Sequence, residues 1–514
     1  MNNSFISKLR SKAITVTAEC VRRLMHSEKY VSLDELCKYL GDSVVLNDKA
    51  EGLRKTVITQ VCTKNSWYIP RNCAFLVYRN PVYKDDDTDK NADLAMKKGA
   101  AVLITNREYK DYPCMISNNP LETYARLCRY YRELARDLSV IAISGSIGKT
   151  TVKNMIVEVC KMKYKPWYTS SNMNTKEVVG FTAQHIPNWA ERVIQEIHEG
   201  EPNETQYVSE ILCPDILAIT PIEKSHLLYF GDADKIVEEV CSITKNMSEN
   251  GRVIVNIDEF NRFDLLNGKT VVSISINNPT ADFYADNIQV DTGGLSFTVH
   301  EKSNGDVFSV KLNNIFALHN VSCALYAIAA GRIDGIEKND IIQGLSHFRQ
   351  RGVRQNILKA EDGVIVYADC YNAIDRSMKS AIDTASSLNV KGDRIAVLGD
   401  IEECGDQSDS IHKDIINYVN QSMFDVLYVF GGKMAKAVDS STIRDSLEHC
   451  CFQSLDELAK AIKKRVSADS LVLFKGSHAN NLGDCIIKVW PQFADEVKYY
   501  NKVSRRWKEK SLFY

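Results

Sequence analysis

The residues best suited to chemistry form one short run, Ser144-Gly-Ser-Ile-Gly-Lys-Thr-Thr151. Its glycines let the backbone take positive φ and come close to an anion, so that successive N–H groups can line a phosphate cradle. Lys149 supplies a positive charge for the β- and γ-phosphates, and the Thr150 hydroxyl is an oxygen ligand for a phosphate-bound Mg²⁺. The run therefore predicts binding of a nucleotide triphosphate. The residues predicted to contact it are Gly145, Ser146, Ile147, Gly148, Lys149, Thr150 and Thr151.

The segments on either side of this loop predict a strand before it and a helix after it. Residues 140–143 form a short apolar run that is typical of a buried strand. After the loop, apolar residues fall on one helical face, at Val152, Met155, Ile156, Val159 and Cys160. A helix that begins at the loop directs the positive end of its dipole at the phosphates. The alternative is an ordinary glycine turn between strand and helix, because the first glycine is closer to the second than the full phosphate-loop pattern requires.

Length and composition limit the classes of protein that fit. At about 150 residues per domain, a chain of 514 residues is expected to hold about three domains. The net charge of −2 gives no broad electrostatic reason to bind nucleic acid, and no apolar run approaches the ~20 residues needed to cross a bilayer. The first residues lack the apolar segment of a signal peptide, and the fifteen cysteines show no Cys-x-x-Cys spacing. We therefore expect a cytoplasmic protein with reduced thiols.

Three blocks can be separated along the chain. Residues 1–137 contain strand-like runs at 73–78 and 100–105 and a charged run at 84–90 that is expected to be a loop. Residues 138–350 carry the phosphate loop and further strand-like runs, which predict a mainly parallel α/β sheet. In residues 351–514, four apolar runs each end in polar or glycine residues, as strands do that lead into a ligand crevice. The predicted fold is α/β with three domains, a central phosphate-loop sheet and a C-terminal Rossmann-like domain.

Further motifs follow the loop along the chain. In order they are Ser171-Asn-Met-Asn174, Glu196, Ser225-His-Leu-Leu-Tyr-Phe-Gly231, Leu318-His-Asn-Val321, Arg354, Asp369-Cys-Tyr-Asn-Ala373, Val397-Leu-Gly-Asp-Ile-Glu-Glu-Cys-Gly405 and Lys475-Gly-Ser477. Each motif is weak alone. Together with the loop, their order and spacing resemble the Mur ligase family over roughly residues 55 to 480.

The resemblance implies an ATP-dependent ligase that forms an amide bond through an acyl phosphate, with ATP and Mg²⁺ as cofactors. It implies addition of D-alanyl-D-alanine to UDP-N-acetylmuramoyl-tripeptide during synthesis of peptidoglycan precursors, by a monomer without nucleic-acid partners or membrane insertion. The resemblance assigns catalytic roles to Lys149 and His226, and metal binding to Thr150, Glu196 and His226. It assigns nucleotide binding to His319, Asn320, Arg354 and Asp369, and substrate binding to Asn172, Asn174, Tyr371 and Asn372.

Two departures from the family pattern keep other functions open. Val240 stands where the family has a carbamylated lysine that helps to hold metal, and Glu238 or Glu239 are candidates to replace it. Trp67 stands where the family's UDP-associated signature has an arginine, and an indole cannot pair with a phosphate. The alternatives are a divergent ligase that joins another carboxylate and amine, and a catalytically impaired nucleotide-binding partner protein. A simple phosphate-loop kinase or GTPase leaves the motifs of the third block without a role.

Overall fold

The computed structural model describes residues 31–64, 69–78, 87–135, 138–169, 174–222, 230, 232–291, 293–402 and 404–499. Two predicted site residues, Asn172 and His226, lie outside these ranges, as does Trp67. Within the described ranges, no helix combines the length and apolar character that a membrane span requires.

The first unit is a small α/β unit built on a five-stranded sheet. Its strands are β1 (Val31–Ser32), β2 (Val44–Leu46), β3 (Val57–Ile58), β4 (Val61–Cys62), β5 (Ala74–Leu76), β6 (Val102–Thr105) and β7 (Cys114–Ser117). Its helices are α1 (Leu33–Leu40), α2 (Asp48–Glu51), α3 (Thr88–Lys97) and α4 (Pro120–Glu133). The sheet order is β2-β7-β6-β5-β4, in which only β2 is antiparallel to its neighbour, while β1 and β3 pair separately.

The charged run at residues 84–90 is partly helical. The Asp87 side chain accepts hydrogen bonds from the backbone N–H groups of Asp89 and Lys90, each at 3.1 Å, and so caps α3. A carboxylate at this position satisfies free N–H groups and interacts favourably with the helix dipole. The expectation of a loop is therefore wrong for residues 88–90.

The central unit contains a nine-stranded sheet. Its strands are β8 (Ser139–Ser144), β9 (Pro166–Tyr168), β10 (Arg192–Glu196), β11 (Ile216–Ile219), β12 (Arg252–Asn256), β13 (Thr270–Ile276), β14 (Phe283–Asp291), β15 (Gly294–Glu301) and β16 (Asp306–Asn313). Its helices are α5 (Lys149–Cys160), α6 (Lys176–Gln184), α7 (Glu204–Leu212), α8 (Ala233–Ser242), α9 (Asn320–Ile333) and α10 (Lys338–His347). The order is β16-β15-β14-β13-β12-β11-β8-β10-β9, and only β15 runs antiparallel to its neighbours, β14 and β16, so the mainly parallel sheet is confirmed.

Apolar side chains cover both faces of this sheet. On one face α5 and α9 pack against the strands, and the predicted helical face from Val152 to Cys160 is fully buried there. The other face carries the buried side chains of α6, α7 and α8. Because β8 lies between β10 and β11, the carboxyl ends of these three parallel strands meet beside the phosphate loop.

The C-terminal unit is a doubly wound sheet. Its strands are β17 (Asn356–Lys359), β18 (Ile365–Asp369), β19 (Arg394–Gly399), β20 (Val426–Phe430), β21 (Glu448–Phe452) and β22 (Leu471–Lys475). Its helices are α11 (Asp375–Ser387), α12 (Ser408–Asn420), α13 (Gly432–Asp439), α14 (Leu455–Arg465), α15 (Leu482–Val489) and α16 (Ala494–Val497). The order is β17-β18-β22-β19-β20-β21, with only β17 antiparallel and an apolar cluster on each face. The predicted three-domain α/β class is confirmed, whereas the boundaries at 137/138 and 350/351 stay predictions.

Candidate active site

The phosphate loop connects β8 to α5 and contains the two glycines at positive φ. Gly145 has φ 122° and Gly148 has φ 86°. A Cβ atom at Gly145 would lie 2.3 Å from the carbonyl oxygen of Thr220, at the end of β11, so no other residue fits there without a shift of the backbone. Two N–H groups of the loop, those of Ser146 and Ile147, donate to the Pro221 carbonyl at 2.9 and 3.1 Å. The segment after β11 thus sets the shape of the loop.

Lys149 is the first residue of α5 and forms a buried ion pair. Its ammonium group donates to both carboxylate oxygens of Glu199, at 2.8 and 2.9 Å, and to the carbonyl of Gly145. The Glu199 side chain is 1% exposed and the Lys149 side chain 12%. The charge predicted to meet the phosphates is therefore already matched by a carboxylate of this chain.

Glu196, the last residue of β10, contacts the second residue of α5. The Thr150 hydroxyl donates to Glu196 Oε2 at 3.2 Å, and the Asn174 amide donates to the same oxygen at 3.4 Å. Glu196 Oε1 lies 3.0 Å from the ammonium of Lys153, one turn further along α5. The structure thus brings together three predicted site residues, Thr150, Asn174 and Glu196.

Lys153 is a buried lysine among the apolar side chains of α5. Its ammonium group donates to the carbonyl of Thr169 at 2.9 Å and pairs with Glu196. Burial lowers the pKa of Lys153 below its ordinary value, although the charge of Glu196 and its hydrogen bond oppose this shift. The Lys153 ammonium thus places a buried positive charge beside the Glu196 carboxylate.

The loop after β10 carries a second titratable pair. His198 Nδ1 lies 3.1 Å from Glu204 Oε2. Burial opposes the charged form, yet the pKa of His198 is raised above its ordinary value because Glu204 accepts its hydrogen bond and Glu199 adds negative charge. His198 therefore adds positive charge near the Lys149–Glu199 pair more readily than an isolated histidine would.

Glu239 and Val240 have structural roles on α8. The Glu239 carboxylate accepts from the backbone N–H groups of Asn203 and Thr205, both at 2.8 Å, and from the Thr205 hydroxyl. Val240 is fully buried in the apolar cluster under the sheet. The Glu239 carboxylate, considered from the sequence as a replacement metal ligand, is thus occupied as a cap of α7.

A cleft lies between the central and C-terminal units. Loop residues Ile147 and Gly148 form one end of it, and His319 and Asp369 also line it. His319 Nε2 contacts Gln355 Oε1 at 2.9 Å and Nδ1 contacts Ser380 Oγ at 3.2 Å. Burial lowers the pKa of His319 below its ordinary value, so the ring is neutral at neutral pH. A cleft that carries the neutral His319 and Gln355 side chains beside the phosphate loop suits a nucleoside.

Asn320 and Asp369 lie at the ends of elements that face this cleft. Asn320 is the first residue of α9, and its Nδ2 donates to the carbonyl of Ala317 at 3.1 Å, while its buried Oδ1 accepts no hydrogen bond from the described residues. Asp369 ends β18 and accepts from the Gln355 N–H at 3.2 Å. Asn320 thus lies in the first turn of α9, directly after the N-cap residue His319.

The other C-terminal residues lie at the carboxyl ends of β18 and β22. The Arg354 guanidinium stacks on the Tyr371 ring, 3.5 Å from its centroid, and Tyr371 lies 5.5 Å from the His478 ring. The buried Lys475 ammonium donates to the carbonyl of Asn372 and lies 3.6 Å from Asp369. These residues form a polar edge on the C-terminal sheet.

The predicted site residues fall into two groups within the described ranges. Around the start of α5 lie the loop, Asn174 and Glu196; around the cleft and the adjoining sheet edge lie His319, Asn320, Arg354, Asp369, Tyr371 and Asn372. Sequence reasoning missed Lys153, Glu199 and Gln355. The only signal for Lys153 was its charge on an apolar helical face, and the only signal for Glu199 was its position as a second acid three residues after Glu196.

Family models match both larger units of the chain. Residues 143–331 match the Mur ligase middle domain, and residues 353–478 match the Mur ligase, glutamate ligase domain. Together these segments cover more than half of the chain and contain the phosphate loop, Glu196, His319 and Asp369.

Named relatives extend the likeness into the first unit. The UDP-N-acetylmuramoyl-tripeptide--D-alanyl-D-alanine ligase of Bacillus subtilis (strain 168) is 28% identical over 403 residues, which are 76% of this chain and 85% of that protein. The protein of the same name from Escherichia coli (strain K12) is 25% identical over 443 residues, 85% of this chain and 94% of that protein.

Solved structures show the same fold at lower identity. MurF from Acinetobacter baumannii has a TM-score of 0.77 at 22% identity, covering 90% of this chain and 99% of that chain. The MurF ligase from Thermotoga maritima in complex with ADP has a TM-score of 0.69 at 21% identity, covering 87% and 98%. With two matched domains in sequence and the three-unit architecture in structure, the chain belongs to the Mur ligase family.

Proposed function

We propose that this protein is an ATP-dependent ligase that joins D-alanyl-D-alanine to UDP-N-acetylmuramoyl-tripeptide, a step of peptidoglycan precursor synthesis. Relatives of that name align with most of the chain. The observation that carries the proposal is the contact between Thr150 and Glu196 at the start of α5, beside a cleft that runs to the C-terminal unit. A loop for phosphates, an acidic group beside it and an adjoining cleft for the nucleoside suit ATP-driven ligation.

In the proposed reaction a substrate carboxylate attacks the γ-phosphate of ATP, which gives an acyl phosphate and ADP. The amine of the dipeptide then attacks the acyl carbon, and phosphate leaves as the amide bond forms. The protein has little covalent chemistry to do, so it acts by positioning groups and neutralising charge. Lys149 stabilises the transferring phosphoryl group, and the N–H groups at the start of α5 hold the other phosphates.

The residues at the start of α5 fit a Mg²⁺ ion. Thr150 and Glu196 offer oxygen ligands, which Mg²⁺ prefers, and the Thr150 hydroxyl lies 3.2 Å from Glu196 Oε2, so both oxygens are at the start of α5. The predicted third ligand, His226, lies outside the described residues, and those residues contain no cluster of three or more His, Cys, Asp or Glu side chains suited to a metal. When bound, the ion would neutralise phosphate charge. Thr150 and Glu196 would hold and orient it.

The cleft residues bind and orient the nucleoside in this proposal. His319 and Asn320 offer neutral polar groups for the base, and Asn320 Oδ1, which accepts no hydrogen bond from the described residues, is a candidate acceptor for an amino group. Asp369, which lines the same cleft, is proposed to bind the ribose, and Arg354 is proposed to bind the phosphates. Asn174 on the central unit and Tyr371 and Asn372 on the C-terminal edge are proposed to contact the peptide substrates.

A second candidate is a ligase of the same chemistry that joins another carboxylate and amine. The buried, apolar Val240 favours it, because this position cannot contribute a metal ligand as the family's lysine does. The cytoplasmic location and the monomeric state expected from the sequence stay predictions.

Purified protein with Mg²⁺, ATP, UDP-N-acetylmuramoyl-tripeptide and D-alanyl-D-alanine tests the proposal. We expect phosphate release only when both substrates are present, and a product whose mass equals their sum less one water. Phosphate release that requires UDP-N-acetylmuramoyl-tripeptide together with an amine other than D-alanyl-D-alanine would favour the second candidate. Tight ATP binding without phosphate release, whichever substrates are present, would contradict both ligase functions. It would instead favour a nucleotide-binding partner protein.

A further inference from the structure

Two carboxylates reach the first two residues of α5 from the segment that follows β10. Glu199 binds Lys149 through both of its oxygens, at 2.8 and 2.9 Å, and Glu196 accepts from Thr150 at 3.2 Å. The two carboxylates therefore contact adjacent residues, Lys149 and Thr150, at the end of the phosphate loop. The sequence motifs assign a role to Glu196 only.

Both carboxylates are buried, so each needs a positive partner. The side chains of Glu196 and Glu199 are 1% exposed, and their partners are Lys153 and Lys149 respectively. A buried charge that loses its partner is strongly destabilising, because water cannot replace the lost interaction. In the free protein the charges of this cluster are balanced in pairs.

Binding of a triphosphate disturbs one of these pairs. Phosphate oxygens compete with Glu199 for the Lys149 ammonium, which the loop holds beside the Gly145 carbonyl. Once Lys149 faces the phosphates, Glu199 is a buried carboxylate next to several further negative charges. It then requires a new cation, and the Glu196 carboxylate, which accepts the hydrogen bond of Thr150 at the start of α5, offers an oxygen ligand for the same cation.

We propose that Glu199 is a positioning residue that couples nucleotide binding to a divalent cation. In the free protein it holds Lys149; when phosphates take Lys149, its carboxylate turns to the cation that accompanies the nucleotide and adds an oxygen ligand to those of Thr150 and Glu196. Nucleotide without the cation leaves Glu199 unpaired and binds weakly. The proposal rests on ATP binding by this loop, as in the proposed function, but not on which substrates are joined.

Another positive group faces Glu199 and provides the competing explanation. His198 is the preceding residue, and its raised pKa reflects the charges of Glu204 and Glu199. If a protonated His198 became the partner of Glu199, no divalent cation would be needed. The dependence of nucleotide affinity on Mg²⁺ separates these two explanations.

The test compares the Glu199→Gln variant with the unchanged protein by calorimetric titration with ATP, in Mg²⁺ and in EDTA. Glutamine keeps the size of the side chain and an acceptor for Lys149 but removes the charge. Coupling between two bound ligands is typically about 5- to 150-fold, and we expect the Mg²⁺-to-EDTA affinity ratio to fall about tenfold. Part of this fall in the affinity ratio should come from tighter binding of ATP to the Glu199→Gln variant in EDTA, because the Glu199 carboxylate no longer competes for Lys149.

Glu201→Gln is the matched control. Glu201 lies in the same loop and pairs with Lys176 rather than with Lys149, so its loss should leave the ratio unchanged. Equal ratios in the Glu199→Gln and Glu201→Gln variants would overturn the proposal while leaving ATP binding, and thus the proposed function, intact. Absence of ATP binding to the unchanged protein would overturn both.

A second variant decides the question if Glu199→Gln does not fold. In the Lys149→Met variant, Glu199 has no ammonium partner even without nucleotide. We expect this variant to bind Mn²⁺ alone more tightly than the unchanged protein, as measured by the loss of the free-ion signal in electron paramagnetic resonance. Equal Mn²⁺ binding by the two proteins would overturn the proposal.

Discussion

Lys149 connects the phosphate-loop motif to the proposed reaction. It is the first residue of α5, and its charge lies where phosphates meet the helix N-terminus. Removing a preorganised charge that acts on the transferring group is expected to raise the barrier by about 3 kcal/mol, or about a hundredfold in kcat. Lys149→Ala should therefore lose at least this much activity in the phosphate-release assay. Lys161→Ala, which removes a partly exposed lysine just after the same helix, should not.

A near-normal rate for Lys149→Ala would contradict the role given to this residue. The variant also leaves Glu199 buried without its partner, so its thermal unfolding must be measured with its kinetics. A loss of rate in a protein that unfolds at the ordinary temperature supports a role in the reaction. The Lys161→Ala variant provides the reference for both measurements.

Residue types predicted the loop but not the partners of its charges. Positive φ at Gly145 and Gly148 follows from the motif, because a phosphate cradle requires it. The Lys149–Glu199 and Lys153–Glu196 pairs join residues of α5 to the end of β10, far apart in sequence. From the sequence pattern alone, a lysine within an apolar helical face is expected to be exposed at the edge of that face. Only the packing of α5 on the sheet shows that it is buried.

At the scale of elements, α7 depends on a cap from another helix. The residue before it, Asn203, has φ 67° and makes no side-chain cap hydrogen bond, and the Glu239 carboxylate of α8 satisfies the free N–H groups instead. Losing a buried acceptor of this kind typically costs about 1 to 3 kcal/mol. Glu239→Ala should lower the urea midpoint accordingly, whereas Glu238→Ala, on the exposed side of α8, should not. Equal midpoints would contradict the capping role.

The parallel strands could be predicted and the antiparallel ones could not. Four parallel strands of the central sheet are buried on both faces and therefore have nearly continuous apolar sequences: β8, β10, β11 and β12. In β16 buried and exposed side chains alternate, and the strand carries aspartate, lysine and serine among its apolar residues. Such a half-exposed strand gives a weak signal when the sequence is read for apolar runs. The antiparallel strands β15 and β16 were missed for this reason.

At the scale of the molecule, the cleft depends on how the central and C-terminal units meet. The described contacts across it include His319 with Gln355, and Glu259 with Arg376 on α11. The second pair joins residues 117 positions apart, and Arg376 Nη1 donates to Glu259 Oε2 at 3.2 Å. No local pattern marks two such residues as partners, because their meeting is set by the packing of whole domains. The family resemblance assigned nucleotide-binding residues to both units but not the contacts between the units.

The Glu259–Arg376 pair is expected to stabilise the closed cleft and so to favour nucleotide binding. The side chains are 27% and 49% exposed, and pairs of this kind contribute about 0.2 to 1 kcal/mol. Arg376→Ala and Glu259→Gln should each weaken ATP affinity by up to about fivefold. The double variant should be no weaker than either single one, because the same contact is lost in all three. Arg262→Ala, which breaks a surface pair within the central unit, should leave the affinity unchanged. Fully additive losses in the double variant would show that the two residues act on the nucleotide separately and not through the contact across the cleft.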